Sequence, residues 1–138
     1  MSVKAKPVVV KIGGSTLGKS DTSLRDLVSL QQRGALPVMV HGGGPTITEW
    51  MERQGILPRF IEGLRVTDGP SLEIVIAVLA GLINKQLVAA IIAMGGKAIG
   101  LSGVDGAILE AKIGDPGLGF VGEILHVNSK PILELVNA

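Results

Sequence analysis

Apolar residues run along this chain in blocks of two kinds. "PVVVKI" at 7–12, a short β-branched run, and "LPVMV" at 36–40 have their apolar residues in continuous stretches, in the manner of strands buried on both faces of a parallel sheet. Between them Leu24, Leu27, Val28 and Gln31 fall at helical spacing; Ser20 or Asp21 can cap that helix, and Gly34 can end it in a left-handed conformation. After the second strand, "HGGGP" brings Pro45 to the first turn of a helix. Ile47, Trp50 and Met51 share one face of it and Gly55 stops it. "LPRFIEGLRVTDGPS" carries turn residues and two arginines, then leads into a long apolar helix from about Ser71 to Met94. "KAIGL" reads as a third strand with the loop "SGVDG" behind it. "AILEAKI" and "FVGEILHV" alternate as a hairpin around "GDPGLG", and "SKPILELVNA" begins a last helix.

Strand and helix in alternation predict an α/β fold, a three-layer αβα sandwich with a mainly parallel central sheet, plus the hairpin. In open sheets of this kind ligands sit outside the carboxyl ends of the strands. Here those ends carry glycine loops twice, Gly13-Gly14 after the first strand and Gly42 to Gly44 after the second. Two such loops side by side, each leading to a helix N-terminus, make a cleft suited to anions.

A chain of 138 residues, 46% of them apolar, suits one domain spanning 1–138. Thirteen basic and twelve acidic residues leave a formal charge of +1 without a run of either sign, which points away from nucleic acid and anionic membranes. The absence of cysteine excludes disulfides and thiolate metal sites. With no leader in view, the expected compartment is the cytoplasm. The apolar helix has ten uninterrupted apolar residues, Ile74 to Ile83, before Asn84, Lys85 and Gln86. A membrane span wants about 20, so the expectation is no membrane and a core or interface helix.

"KIGGSTLGKS" poses the chemical question. Gly13, Gly18, Lys19 and Ser20 satisfy the P-loop pattern, in which Lys19 would meet the nucleotide phosphates. Such enzymes also hold Mg²⁺ with an Asp at the end of another strand. Here the second strand ends in His41 and the third in Leu101-Ser102, and twenty glycines make chance matches common. The competing cation is Lys11, at the end of the first strand beside the glycine pair.

"VVVKIGGS", "VMVHGGGP", "GLRVTD", "AVLAGLINKQLV", "AIGLSGVDG" and "GFVGEI" stand in the order and rough spacing seen in the amino acid kinase family. Together they resemble the N-terminal half of its acetylglutamate kinase branch, from about Val8 onward. The resemblance implies transfer of the γ-phosphoryl group of ATP, carrying Mg²⁺, to the side-chain carboxylate of N-acetyl-L-glutamate on the route to arginine. It assigns Lys11 to the transferred phosphoryl group, Gly13 and Gly14 to its backbone cradle, Gly43 and Gly44 to the reacting end of acetylglutamate, and Arg65 to its α-carboxylate. No resident metal is implied.

A homodimer through the helix around residues 71–94 is implied as well. So is a C-terminal, nucleotide-binding half that this chain does not contain, which makes the chain the acceptor-binding half, inactive alone. The alternatives are a non-catalytic module that binds acetylglutamate or a partner, and a related kinase acting on another carboxylate such as carrier-linked aminoadipate.

The same residues have plainer readings. Arg65 can pair with Glu62 or Asp68, and His41 can be a strand-end hydrogen bonder. Asn84-Lys85 can pack polar groups near the site, and Asp105 can be a turn residue.

Overall fold

A computed structural model describes residues 6–13 and 22–138. Gly14, the expected caps Ser20 and Asp21, and the Gly18-Lys19-Ser20 half of the P-loop pattern lie outside the described residues.

Strand β1 (Pro7–Ile12) pairs in parallel with β2 (Leu36–His41), with Lys11 opposite Val40 and Ile12 opposite His41. Parallel neighbours need a crossover, and α1 (Ser23–Gln32) supplies it. Helix α2 (Gly44–Arg53) follows β2 directly. Gly34 at φ +88° and Gly55 at φ +73° follow α1 and α2 in the left-handed region, as expected.

The turn-rich segment that follows holds a hairpin. Its strands, β3 (Phe60–Ile61) and β4 (Leu64–Arg65), are antiparallel with Phe60 opposite Arg65. Glu62 (φ 49°) and Gly63 (φ 81°) both adopt left-handed conformations, as a two-residue hairpin turn with the right twist requires. Strands of two residues show no period, and glutamate is an uncommon residue at such a position. Both facts hid the hairpin.

The long helix runs from Gly69 to Ala93 as α3 (Gly69–Ile76), a π-helical stretch (Ala77–Ile83) and α4 (Asn84–Ala93). Asp68 caps its start by accepting from Ser71 N at 3.0 Å. Its buried apolar residues are Ile74, Val78, Ile83 and Leu87. The intervals are four, five and four, and an all-α helix would swing the last two residues off the common face. The π turn, closed by Asn84 N donating to Leu79 O, takes up the surplus residue and keeps all four on one side. That side packs on Ile47 and Met51 of α2, with Met39, Leu24 and Trp50 around them. By length and composition the helix could cross a membrane, but its buried stripe makes it the core helix of this fold.

Ile76 and Ile92 on the same helix are 56% and 55% exposed. These are the residues that a partner chain could cover, whereas Val78, at 0% exposure, belongs to the core.

The third strand is a correction. Residues 97–101 pair with no strand, so in place of a larger central sheet the described residues form three two-stranded sheets, of which β1–β2 is the parallel one, with an isolated parallel bridge between Thr67 and Gly119. Side chains hold this segment's backbone instead. Gln31 both accepts from Lys97 N (2.7 Å) and donates to Lys97 O (2.8 Å), Lys85 donates to Gly100 O, and Asn84 to Leu101 O. The second hairpin is present as expected, β5 (Leu109–Ile113) with β6 (Gly122–Val127), and α5 (Lys130–Val136) closes the described chain. Asp105 is the expected turn residue, accepting from Ser102 N and Oγ. Burial against the long helix predicts that Met51→Ala, at 1% exposure, costs about 2–5 kcal/mol in urea denaturation. Ile76→Ala should cost less than about 0.5 kcal/mol where the chain is monomeric. A loss at Ile76 as large as that at Met51 would show that another chain covers this face.

Candidate functional site

The two glycine loops begin side by side because of the register of β1 and β2. Gly42 N donates to Ile12 O at 3.3 Å, continuing the ladder one step past His41. Lys11 and Gly13 line a cleft of about 420 Å³ at this edge, closed on the other side by Asp26, Leu27 and Leu30 of α1. The Lys11 side chain is exposed there.

Gly43 is buried against the π-helical stretch. A Cβ on it would run into Ile83 Cδ1 and come within 2.8 Å of Leu79 Cδ2, so the loop reaches its place only with a bare backbone. As the residue before α2 it offers no capping side chain, and the first helical bond runs from Ile47 N to Gly43 O at 3.0 Å. The N–H groups of Gly44 and Thr46 precede that bond and so have no carbonyl of their own helix to meet, and Pro45 has none to leave unpaired. Nothing stands within 4 Å of where a Gly44 Cβ would be. The start of α2 is thus an open, positively polarised end.

Arg65 comes to that end from β4. Its Nη2 donates to Gly44 O (3.1 Å) and to Thr48 Oγ1 (2.8 Å), its Nη1 lies 3.2 Å from Met51 Sδ, and its guanidinium sits 4.7 Å from the Phe60 ring centroid. It makes none of the ion pairs among the described residues, so pairing with Glu62 or Asp68 is not what holds it. Burial lowers its pKa, and a guanidinium nevertheless stays charged. Thr67, buried, fixes β4 from behind: its hydroxyl donates to Arg65 O (3.1 Å), and its backbone exchanges bonds with Leu118 O and Phe120 N.

Of the residues singled out from sequence, the structure joins Arg65 to Gly44 directly and places Lys11 and Gly13 at the adjacent strand end. Gly14 lies outside the described residues. His41 is a hydrogen bonder at the strand end, through Asn84 (3.3 Å) and Gly42 O (3.1 Å), and Lys85 reaches Gly100 O and Asn84 Oδ1. Thr48 and Phe60 are the residues that sequence reasoning missed. Thr48 stands one helical turn after Gly44, a spacing that could have flagged it. Phe60 faces Arg65 only because of the unexpected hairpin. A guanidinium beside a helix N-terminus can hold a carboxylate or a phosphate.

The chain belongs to the amino acid kinase family, whose pattern matches residues 6–138. Within it, the chain is a homologue of acetylglutamate kinases over the N-terminal region of the family fold. It is 45% identical over 131 residues to the acetylglutamate kinase of Dehalococcoides mccartyi, covering 95% of this chain and 48% of that one. It is 46% identical over 140 residues to that of Acaryochloris marina, covering 99% and 49%. The chain therefore spans about half the length of the curated relatives it matches. Among solved structures it is similar to smu.665 from Streptococcus mutans UA159, with TM-score 0.86 and 30% identity over 95% of this chain and 54% of that one. An N-acetylglutamate synthase from Neisseria gonorrhoeae shares the fold at TM-score 0.74 and 23% identity, over 95% and 31%.

Because a point charge cannot reproduce the fork at the α2 end, Arg65→Lys should weaken binding of a carboxylate ligand there, with N-acetyl-L-glutamate as the probe, by roughly 1.5–3 kcal/mol. Isothermal calorimetry measures this. An unchanged isotherm would place Arg65 outside the pocket.

Proposed function

We propose that this chain provides the acceptor-binding half of an acetylglutamate kinase and works with a nucleotide-binding half. The observation that carries the reading is the Arg65 guanidinium seated on Gly44 O and Thr48 Oγ1 at the uncapped start of α2. Identity of 45% and 46% to acetylglutamate kinases supports the choice of substrate within the family.

In this reading Arg65 takes the α-carboxylate of N-acetyl-L-glutamate, and the N–H groups of Gly43 and Gly44 hold its reacting carboxylate. That carboxylate, with an ordinary pKa of about 4.3, is ionised at pH 7, so the attack needs no general base. One of its oxygens bonds to the γ-phosphorus of ATP as the bond from that phosphorus to the β-phosphate oxygen breaks. ADP leaves with that electron pair, and no proton moves. The transition state spreads charge over the phosphoryl oxygens, where Lys11 and the backbone at Gly13 and Gly14 supply compensating positive polarity. No group of carboxylates and imidazoles among the described residues could hold a metal. In this reading Mg²⁺ comes with ATP as part of the substrate nucleotide. The working form is a cytoplasmic homodimer with the exposed Ile76–Ile92 side of the long helix at its interface.

With a nucleotide-binding half supplied in trans from an acetylglutamate kinase, acetylglutamate-dependent ADP release should appear, and the chain alone should show none. In that assembly Lys11→Ala should lower kcat by at least about a hundredfold with little change in the Michaelis constant for acetylglutamate, since the lost contact exists mainly in the transition state. Lys19→Ala should leave both nearly unchanged. Damage from Lys19→Ala alone would restore the P-loop reading. Acetylglutamate binding without turnover in the assembly would favour the non-catalytic module.

A further inference from the structure

Asn84 is 8% exposed, stands directly after the π turn, and takes no part in the chemistry above. Its neighbours determine which way round its amide lies. Leu101 O, which can only accept, is 3.4 Å from Nδ2, and Lys85 Nζ, which can only donate, is 3.1 Å from Oδ1. A reversed amide would set oxygen against oxygen and NH₂ against ammonium. Nδ2 is also the atom that faces His41 Nε2, at 3.3 Å, so that ring nitrogen must accept. His41 therefore carries its hydrogen on Nδ1, where it donates to Gly42 O at 3.1 Å.

Gly42 O belongs to the peptide that ends in Gly43 N–H, and in a trans peptide these two groups point in opposite directions. Holding the carbonyl toward His41 aims the Gly43 N–H away from it. Gly100 lets the neighbouring segment come close, since a Cβ there would collide with Asn84 Oδ1.

We propose that Asn84 is a positioning residue for the acceptor: through the tautomer of His41 it fixes the Gly42–Gly43 peptide and so the N–H that meets the reacting carboxylate. The proposal rests on the acetylglutamate reading for its ligand, but not for its chain of hydrogen bonds.

Long-range ¹⁵N–¹H correlation of the imidazoles at mildly alkaline pH reads the tautomer directly. The chain has only two histidines, and His41→Gln identifies the signals of His41. The unaltered chain should show His41 with hydrogen on Nδ1. Asn84→Leu should move it to the Nε2–H form while circular dichroism stays helical, and N-acetyl-L-glutamate affinity should fall on the order of three- to tenfold in calorimetry. If Asn84→Leu does not fold, Asn84→Asp keeps the shape but sets an acceptor opposite His41 Nε2, which should then carry the hydrogen.

A Nε2–H form in the unaltered chain would overturn the proposal. So would a tautomer unchanged in the folded variant used, or a lost tautomer with unchanged affinity. An unaltered chain that binds no acetylglutamate would overturn the substrate reading instead, and the tautomer comparison would still decide the role of Asn84.

Discussion

The carboxyl edge of β1 and β2 is shaped by a contact that leaves no space for a side chain, the backbone of Gly43 against Ile83 and Leu79. It sets how far the loop after β2 can sink toward the long helix, and so where α2 starts. The start of α2 in turn is the seat of Arg65, whose place is fixed a second time by Thr67 and the 118–120 segment bonded to it. The same contact works on the helix, because Ile83 and Leu79 project from the stretch wound as a π-helix. Core packing at Ile74, Val78, Ile83 and Leu87 and the geometry of the glycine loop after β2 are thus two faces of one helical segment. Shifts in the core carry directly to the loop in a densely packed interior.

Much of the fold was legible because it is written in local signals. Short continuous apolar runs marked β1 and β2, Gly34 and Gly55 the ends of α1 and α2, and alternation the β5–β6 hairpin. What escaped depends on distant partners. Residues 97–101 have the composition of a strand, yet whether they join a sheet is decided by neighbours, and here Gln31, Lys85 and Asn84 satisfy their backbone. The β3–β4 hairpin escaped through brevity.

The site divides the same way. Gly43, Gly44 and Arg65 were legible as motif pieces and are brought together at the α2 start. Thr48 and Phe60 were not, since their roles exist only once α2 and the hairpin have delivered Arg65 between them. The circumference of the long helix was also misleading. Apolar on nearly every side, it gave no hint which side was core, because the spacing that marks the core is irregular without the π turn.

Apolar surface is plentiful outside the core. Val8 and Val9 of β1, Val40 of β2, Ile124 and Leu125 of β6 and Leu133 of α5 are all substantially exposed. Soluble monomers rarely leave so many such residues open together. Their placement on the strand pair and on the second hairpin fits a chain that spans about half of its relatives' length. A paired sheet with uncovered faces and edges is a template for further strands.

The π-helical stretch Ala77–Ile83 also bears on how this helix tolerates a change in length. In a plain α-helix every residue gained or lost turns all that follows by about 100°, so a single-codon deletion swings the downstream inner residues off their face. A stretch that already winds one residue in surplus can give it up and relax to ordinary winding, leaving Ile74 and Val78 in phase with Ile83 and Leu87. The helix here is a place where a reading frame shortened by three nucleotides changes its pitch and keeps its facing.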